Sequence, residues 1–204
     1  MARSYQQLTM TPAVLDAQRH YYGRAAAITP TPSEPRTPLD PDAIEFIKAR
    51  DSFYIATVSE TGWPYVQHRG GPAGFLRVLN PETVAFDDFL GNRQLLSTGN
   101  LAGGNDRVAL FLMDYPQRTR LKIMGHARVL DAENEPALAQ DLVTDRRLLP
   151  KVERVFLIDV VSYDWNCPQY ITPRYTEEEV ARIIIAPLKE RIRELEAQLS
   201  ARAQ

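Results

Sequence analysis

A single cysteine, Cys167, stands among 204 residues, so no disulfide can close within the chain and no cysteine-rich metal site can be built from it. The three histidines, His20, His68 and His126, are far apart and follow no metal-ligand spacing. No metal site is expected. Long apolar runs are also missing. Nothing approaches the roughly 20 residues that a membrane span needs, and the N-terminal stretch MARSYQQLTMTPAVLD lacks the continuous apolar core of a signal peptide. The expectation is a cytoplasmic protein with no membrane partner. Neither sign of charge dominates: 24 Lys and Arg stand against 26 Asp and Glu, a net charge of −2. No global basic field advertises nucleic acid. There is no serine nucleophile elbow, no P-loop and no Rossmann glycine pattern, and no catalytic residue is assigned.

The chain is long enough for one domain with a sizeable core plus extensions. TPAVLDAQRHYYGR reads as a helix, with Thr11 as N-cap, Pro12 at the first helical position and Gly23 as the stop. Prolines 30, 32, 35, 38 and 41 then break any helix or central strand and imply an extended linker or surface wrap. Asp40 and Pro41 open a second helix.

From Asp51 the periodicity changes. FYIATV, PYVQHR, FLRVL, TVAFDD, RVALFLM and TRLKIMGHARVL are short, rich in β-branched or aromatic residues and separated by turn chemistry. SETGWP joins the first two as a hairpin with Gly62 at positive φ. These strands suggest an antiparallel barrel or sandwich. GNRQLLSTGNLAGGND and ENEPALAQDLVTD read as inserted helices, and VERVFLIDVVSYDW as a further strand. The tail from Thr176 is helical, with a capping box to Glu179. Its Ile185, Leu188, Ile192, Leu195 and Leu199 follow a 3-4 spacing that suits packing on the chain's own domain or pairing across a dimer. Pro187 should kink or divide that helix. Three segments result: an N-terminal extension over 1–41, a barrel domain over 42–175 and a C-terminal helix over 176–204.

Four segments carry polar groups in places where a plain core would not. In GWPYVQHRGG, Gln67 and Arg69 share one strand face and His68 takes the other, before Gly70 and Gly71. This reads either as a ligand-facing strand with close backbone approach or as a solvated strand end. In FDDFLGNRQLLSTGN, the chain passes from Asp87 and Asp88 through Asn92, Arg93 and Gln94 into a helix start. Free N–H groups there, beside an arginine, suit a phosphate; a routine turn with a solvated arginine is the other reading. Asp87 and Asp88 point to opposite faces and make no acid–base dyad. Arg120 and Lys122 alternate with apolar residues on one strand. DWNCPQYITPRY supplies Trp165, Asn166, Cys167 and Gln169 for stacking and hydrogen bonding. Cys167 has no sequence neighbour that lowers its pKa, so it reads as a packing residue.

The order and spacing of these four segments resemble the pyridoxamine 5′-phosphate oxidase-like, FMN-binding split-barrel family over residues 42–175, and most closely its branch with a helical N-terminal extension. The resemblance implies a mainly β, α+β fold: a six-stranded antiparallel split barrel with flanking helices. It implies a homodimer with FMN in a cleft at the interface. It assigns flavin contacts to Gln67, His68, Arg69 and Gly70, then to the strand end Asp87 and Asp88. The family's pair of basic phosphate ligands falls on Arg93 and Gln94, so the second cation is missing and the phosphate must rest on Arg93 with Asn92, Arg69 and backbone amides. Arg120 falls on a later ring- or tail-contacting position, and Trp165, Asn166, Cys167 and Gln169 on the C-terminal contact region. The implied activity is FMN-dependent hydride or electron transfer from a reduced nicotinamide or a small reduced substrate to an acceptor. A flavin carrier or sensor without turnover, or a deazaflavin or haem in the same cleft, are the alternatives. Only Arg174 lies near the oxidase's C-terminal Arg signature, which points away from pyridoxal phosphate synthesis.

Overall fold

The computed structural model describes residues 3–29, 34–165 and 168–202. The chain forms two compact units, Met1–Met113 with Arg120–Cys167, and Asp114–Thr119 with Pro168–Gln204. Seven strands form one sheet: β1 (Ser52–Val58), β2 (Pro64–Gly70), β3 (Arg77–Asn80), β4 (Thr83–Phe89), β5 (Arg107–Asp114), β6 (Thr119–Asp131) and β7 (Val152–Trp165). Their order is β2-β1-β5-β6-β7-β4-β3. The pairs of described register, β1 with β2 and β5, β4 with β3 and β7, and β6 with β7, are all antiparallel. This is the split barrel with flanking helices, in a mixed α+β chain. The strand count is seven where six were expected, because VERVFLIDVVSYDW joins the same sheet, between β6 and β4, as its longest strand.

Alternation decides which residues fill the barrel. Phe53 and Ile55 of β1, Val84 and Phe86 of β4, Leu110 and Leu112 of β5, Leu121 and Ile123 of β6, and Phe156 and Ile158 of β7 interdigitate in one apolar core. Phe86 stacks on Phe156 at 4.8 Å and meets Phe53 edge-on at 5.2 Å. A second, smaller cluster lies on the other face of β4 and β7, where Ala85, Val155 and Leu157 pack under Ala139 and Leu142 of helix α5 (Pro136–Leu142). β4 is therefore covered on both faces.

Three helices precede the sheet. α1 (Arg3–Thr9) was not foreseen; it buries Tyr5, and the Ser4 hydroxyl bonds that of Ser162 on β7 at 2.8 Å. α2 (Pro12–Tyr22) has the expected Thr11 cap and ends at Gly23 with φ of 69°. α3 (Pro41–Lys48) is capped by Asp40, whose carboxylate accepts from the Ala43 amide at 2.7 Å, and it buries Ala43 and Ile47 in the barrel core. The proline-rich wrap is tied by the Thr37 amide to the Val161 carbonyl at 2.9 Å and by the Leu39 amide to that of Pro81 at 2.8 Å.

Two local readings need correction. The inserted helix α4 (Leu96–Ala102) starts at Leu96, not at Gly91–Arg93, because Arg93 and Leu95 take positive φ of 62° and 52° and cannot belong to a right-handed helix. The FLRVL strand starts only at Arg77, since Phe75 and Leu76 turn inward as core residues.

In the second unit, Thr176 and Glu179 form the expected capping box. A three-residue α6 (Glu177–Glu179) leads into a π-helical stretch, Val180–Ile185, and then α7 (Ala186–Arg202). The Ala186 N–H bonds back five residues to Ala181. Pro187 has no N–H to continue the ordinary ladder, and the wider turn before it divides the helix.

Candidate functional site

A cleft of about 560 Å³ opens beside β2, the end of β4, the loop to α4 and the start of β7. Its size suits a nucleotide-sized ligand. β2 sends Tyr65, Gln67 and Arg69 to this face by alternation, and β4 sends Asp88. The loop supplies Gly91, Asn92, Arg93 and Gln94, α4 supplies Ser97, and β7 supplies Glu153 and Arg154.

The floor is an ion network. Asp88 sits opposite Arg154 in the β4–β7 ladder and accepts from its Nε at 2.9 Å. Its other oxygen accepts from Arg69 Nη1. Arg154 also reaches Glu153 at 2.8 Å. The Arg69 guanidinium lies 5.5 and 5.3 Å from the Phe86 and Phe156 ring centroids, which fixes its plane against the core. Its Nε is buried with no hydrogen-bond partner among the described residues. An unsatisfied buried donor is costly, and this one belongs to a residue that lines the cleft.

The upper wall is neutral and hydrogen-bonded. Ser97 donates to Gln67 Oε1 at 2.8 Å, holding β2 to α4. Asn92 folds over the loop: its Oδ1 accepts from the Gln94 amide at 3.1 Å and its Nδ2 donates to Gln94 Oε1 at 3.2 Å. This Asx-type turn sets Arg93 at positive φ, with the Arg93 side chain exposed beside the cleft. Three guanidiniums thus border the cleft against two carboxylates, a balance that suits a phosphate.

The expected site residues separate into two groups. Gln67, Arg69, Asp88, Asn92, Arg93 and Gln94 meet in the cleft. Of the others, His68, Gly70, Asp87, Arg120 and Trp165 do not line it. His68 lies exposed on the opposite face of β2, edge-on to Tyr54 at 5.5 Å. Gly70 ends that strand. Gly71 is explained by packing: a Cβ there would stand 2.8 Å from the Phe75 ring. Asp87 faces α5 and a cavity of about 10 Å³ lined by Gly71, Phe75, Leu142 and Thr144; one of its oxygens is buried without a partner, and burial pushes its pKa up to about 7. Arg120 lies over the Phe111 ring at 5.9 Å, and Trp165 packs edge-on to Phe46 at 5.0 Å. Gln169 is exposed in the second unit. Asn166 and Cys167 lie outside the described residues. Tyr65, Ser97, Glu153 and Arg154 were missed. Alternation from Gln67 points to Tyr65, but nothing local joins Arg154 to a loop some sixty residues earlier.

The profile of the pyridoxamine 5′-phosphate oxidase domain matches residues 39–150. The chain belongs to the pyridoxamine 5′-phosphate oxidase-like family. Among solved structures, HupZ of Group A Streptococcus is similar at 14% identity, covering 67% of this chain and 99% of its own, with a TM-score of 0.48. A Clostridium acetobutylicum protein related to general stress protein 26, of the pyridoxinephosphate oxidase family, is 13% identical over 68% of this chain and 94% of its own, with a TM-score of 0.46. HutZ, the heme storage protein of Vibrio cholerae, is 17% identical over 63% of this chain and 94% of its own, with a TM-score of 0.38. No curated protein matches the chain. In this family member the match ends at Pro150, just before β7, so the strand that carries Arg154 lies beyond the matched stretch. Among the described residues, no helix is long and apolar enough to cross a membrane and no cluster of side chains is arranged to hold a metal ion.

Proposed function

We propose that the cleft binds the phosphate end of FMN and that the protein is a cytoplasmic, homodimeric FMN-dependent oxidoreductase. One observation carries the cofactor reading: the guanidinium-bearing residues Arg69, Arg93 and Arg154 border one cleft of about 560 Å³. A phosphate offers several charged acceptor oxygens to such a set of guanidiniums. The family lineage supports a flavin as the bearer of that phosphate.

The chain's own residues have separable tasks. Asp88 holds Arg69 and Arg154 in place, so that two guanidiniums face the ligand without lateral freedom. Arg154 replaces, from β7, the cation that Gln94 does not provide. Arg93 closes the phosphate from the loop, and Gln67, fixed by Ser97, offers an amide to a polar ring edge. Bound flavin supplies hydride and electron transfer to a small acceptor, with a reduced nicotinamide or small reduced substrate as donor.

The homodimer reading is supported by the outer face of β1, β2 and β5, where Tyr54, Val66 and Ala109 are exposed and neighbouring on adjacent strands. A second subunit there would cover them. A haem reading has less support. His68 faces away from the cleft, and both His126 nitrogens already meet carboxylates, Glu34 at 2.7 Å and Asp106 at 2.9 Å.

Mass spectrometry and absorbance of ligand released from purified protein test the cofactor. FMN is expected; a colourless protein that takes up no FMN from excess would overturn the reading. Anaerobic bleaching by reduced nicotinamide, then recovery in air, separates an enzyme from a carrier. Arg93→Ala is expected to weaken FMN binding about 10–100-fold, the loss of one charged hydrogen bond, while leaving the fold intact.

A further inference from the structure

Helix α7 carries an apolar seam that faces water. Leu188, Ile192, Leu195 and Leu199 recur in 4-3-4 steps and stand 58%, 54%, 42% and 67% exposed. Ile185, at the end of the π-helical stretch, continues the series at 42%. Seven of the other thirteen residues of the helix are charged, and Arg191–Glu194 at 2.8 Å and Arg193–Glu190 at 3.0 Å pair along its flanks. This is a strict a/d seam, narrower than the stripe with which a helix packs on a globular core. A single 17-residue helix with such a face has little reason to persist alone in water.

We propose that α7 pairs with α7 of a second copy of this chain as a short, parallel, two-stranded coiled coil. The occupant follows from the residues themselves. Ile185 and Ile192 fall at a, and Leu188 and Leu195 at d, the combination that favours parallel dimers. In that alignment each layer meets its own copy. Arg191 at g then faces Glu196 of the partner subunit at e, an attractive pair that symmetry makes twice. Pro187 falls at c, off the seam, and the wider turn before it accommodates its missing N–H. Two and a half heptads give a weak pair by themselves, so the contact gains from any other subunit contact that raises effective concentration. It does not depend on the flavin reading.

The full chain tests it. Leu188→Cys and Leu195→Cys place thiols at two d layers, and Ala197→Cys places one on the outer face. Under mild oxidation, both d-layer variants are expected to form 188–188 or 195–195 disulfides at least tenfold faster than Ala197→Cys links. Mass spectrometry of the linked peptides separates these from links through Cys167. Rates equal to that of Ala197→Cys overturn the proposal, and so does fast linking at only one d layer, which marks an antiparallel pair. In the otherwise native chain, Ile192→Glu with Leu195→Glu is expected to raise the dimer dissociation constant at least tenfold by sedimentation equilibrium, and an unchanged constant overturns the pairing. FMN absorbance of the same variants is read separately: protein that takes up no flavin sinks the functional reading and leaves the cross-linking to decide this one.

Discussion

Arg154 on β7 and Asp88 on β4 face each other across the ladder and share hydrogen bonds of 2.9 Å. The same carboxylate holds Arg69, so one acid orients two cations at the cleft floor. Arg154→Gln is expected to weaken FMN binding about 10–100-fold by fluorescence titration, the effect of losing a charge-assisted contact. Wild-type affinity in this variant would remove Arg154 from the site.

Gln94 occupies the loop position where the family resemblance implies a second basic residue. It is exposed, and among the described residues its side chain bonds Asn92. Gln94→Lys adds a cation beside Arg93 without disturbing the core. FMN is expected to bind about 3–10-fold tighter at low salt, with the gain fading as salt screens it. Weaker or unchanged binding at low salt would mean that the ligand's charge lies elsewhere.

Asp87 holds its proton to about pH 7 because burial disfavours its charged form, whereas the unfolded chain releases it near 3.8. The folded chain therefore binds the extra proton between these values, and stability falls as pH rises through that window and stays reduced above it. Asp87→Asn removes the ionisation. At pH 8 it is expected to raise the melting temperature by about 2–4 °C, the shift that roughly 1 kcal/mol produces in a chain of this size. At pH 4 the gain should vanish.

His126 ties the N-terminal wrap to the barrel through Glu34, with Asp106 on its other nitrogen and Arg107 also on Glu34. The two carboxylate contacts raise the His126 pKa and its hydrogen bond lowers that of Glu34. For the histidine, the stabilisation is full below its ordinary 6.5 and is lost as pH climbs through the raised value. Trypsin cleavage after Arg36 should therefore accelerate from pH 6 to 9 in the native chain. Glu34→Gln is expected to cleave faster at pH 6 and to respond less to pH; identical profiles would show that the wrap is held by other contacts.

Much of the fold was legible because its signals are local. Thr11–Pro12, Asp40–Pro41 and Thr176 with Glu179 announced helix starts through their own side chains. Gly62 announced the β1–β2 hairpin, and each strand announced itself by composition. The start of α4 was misplaced because glycine and asparagine before a helix signal a turn without saying how many residues it takes.

The candidate site was legible only in part. Alternation put Gln67 with Arg69 and separated them from His68, and it split Asp87 from Asp88; the period of two in a strand decides both. The sequence by itself therefore settled most of the elements and which residues of β2 and β4 share a face. Only the tertiary structure decided that β7 lies beside β4, which brings Arg154 to Asp88 and sets a second guanidinium residue beside Arg69 at the cleft. Strand order joins residues far apart in the chain, and no local pattern records which ladder a strand will enter.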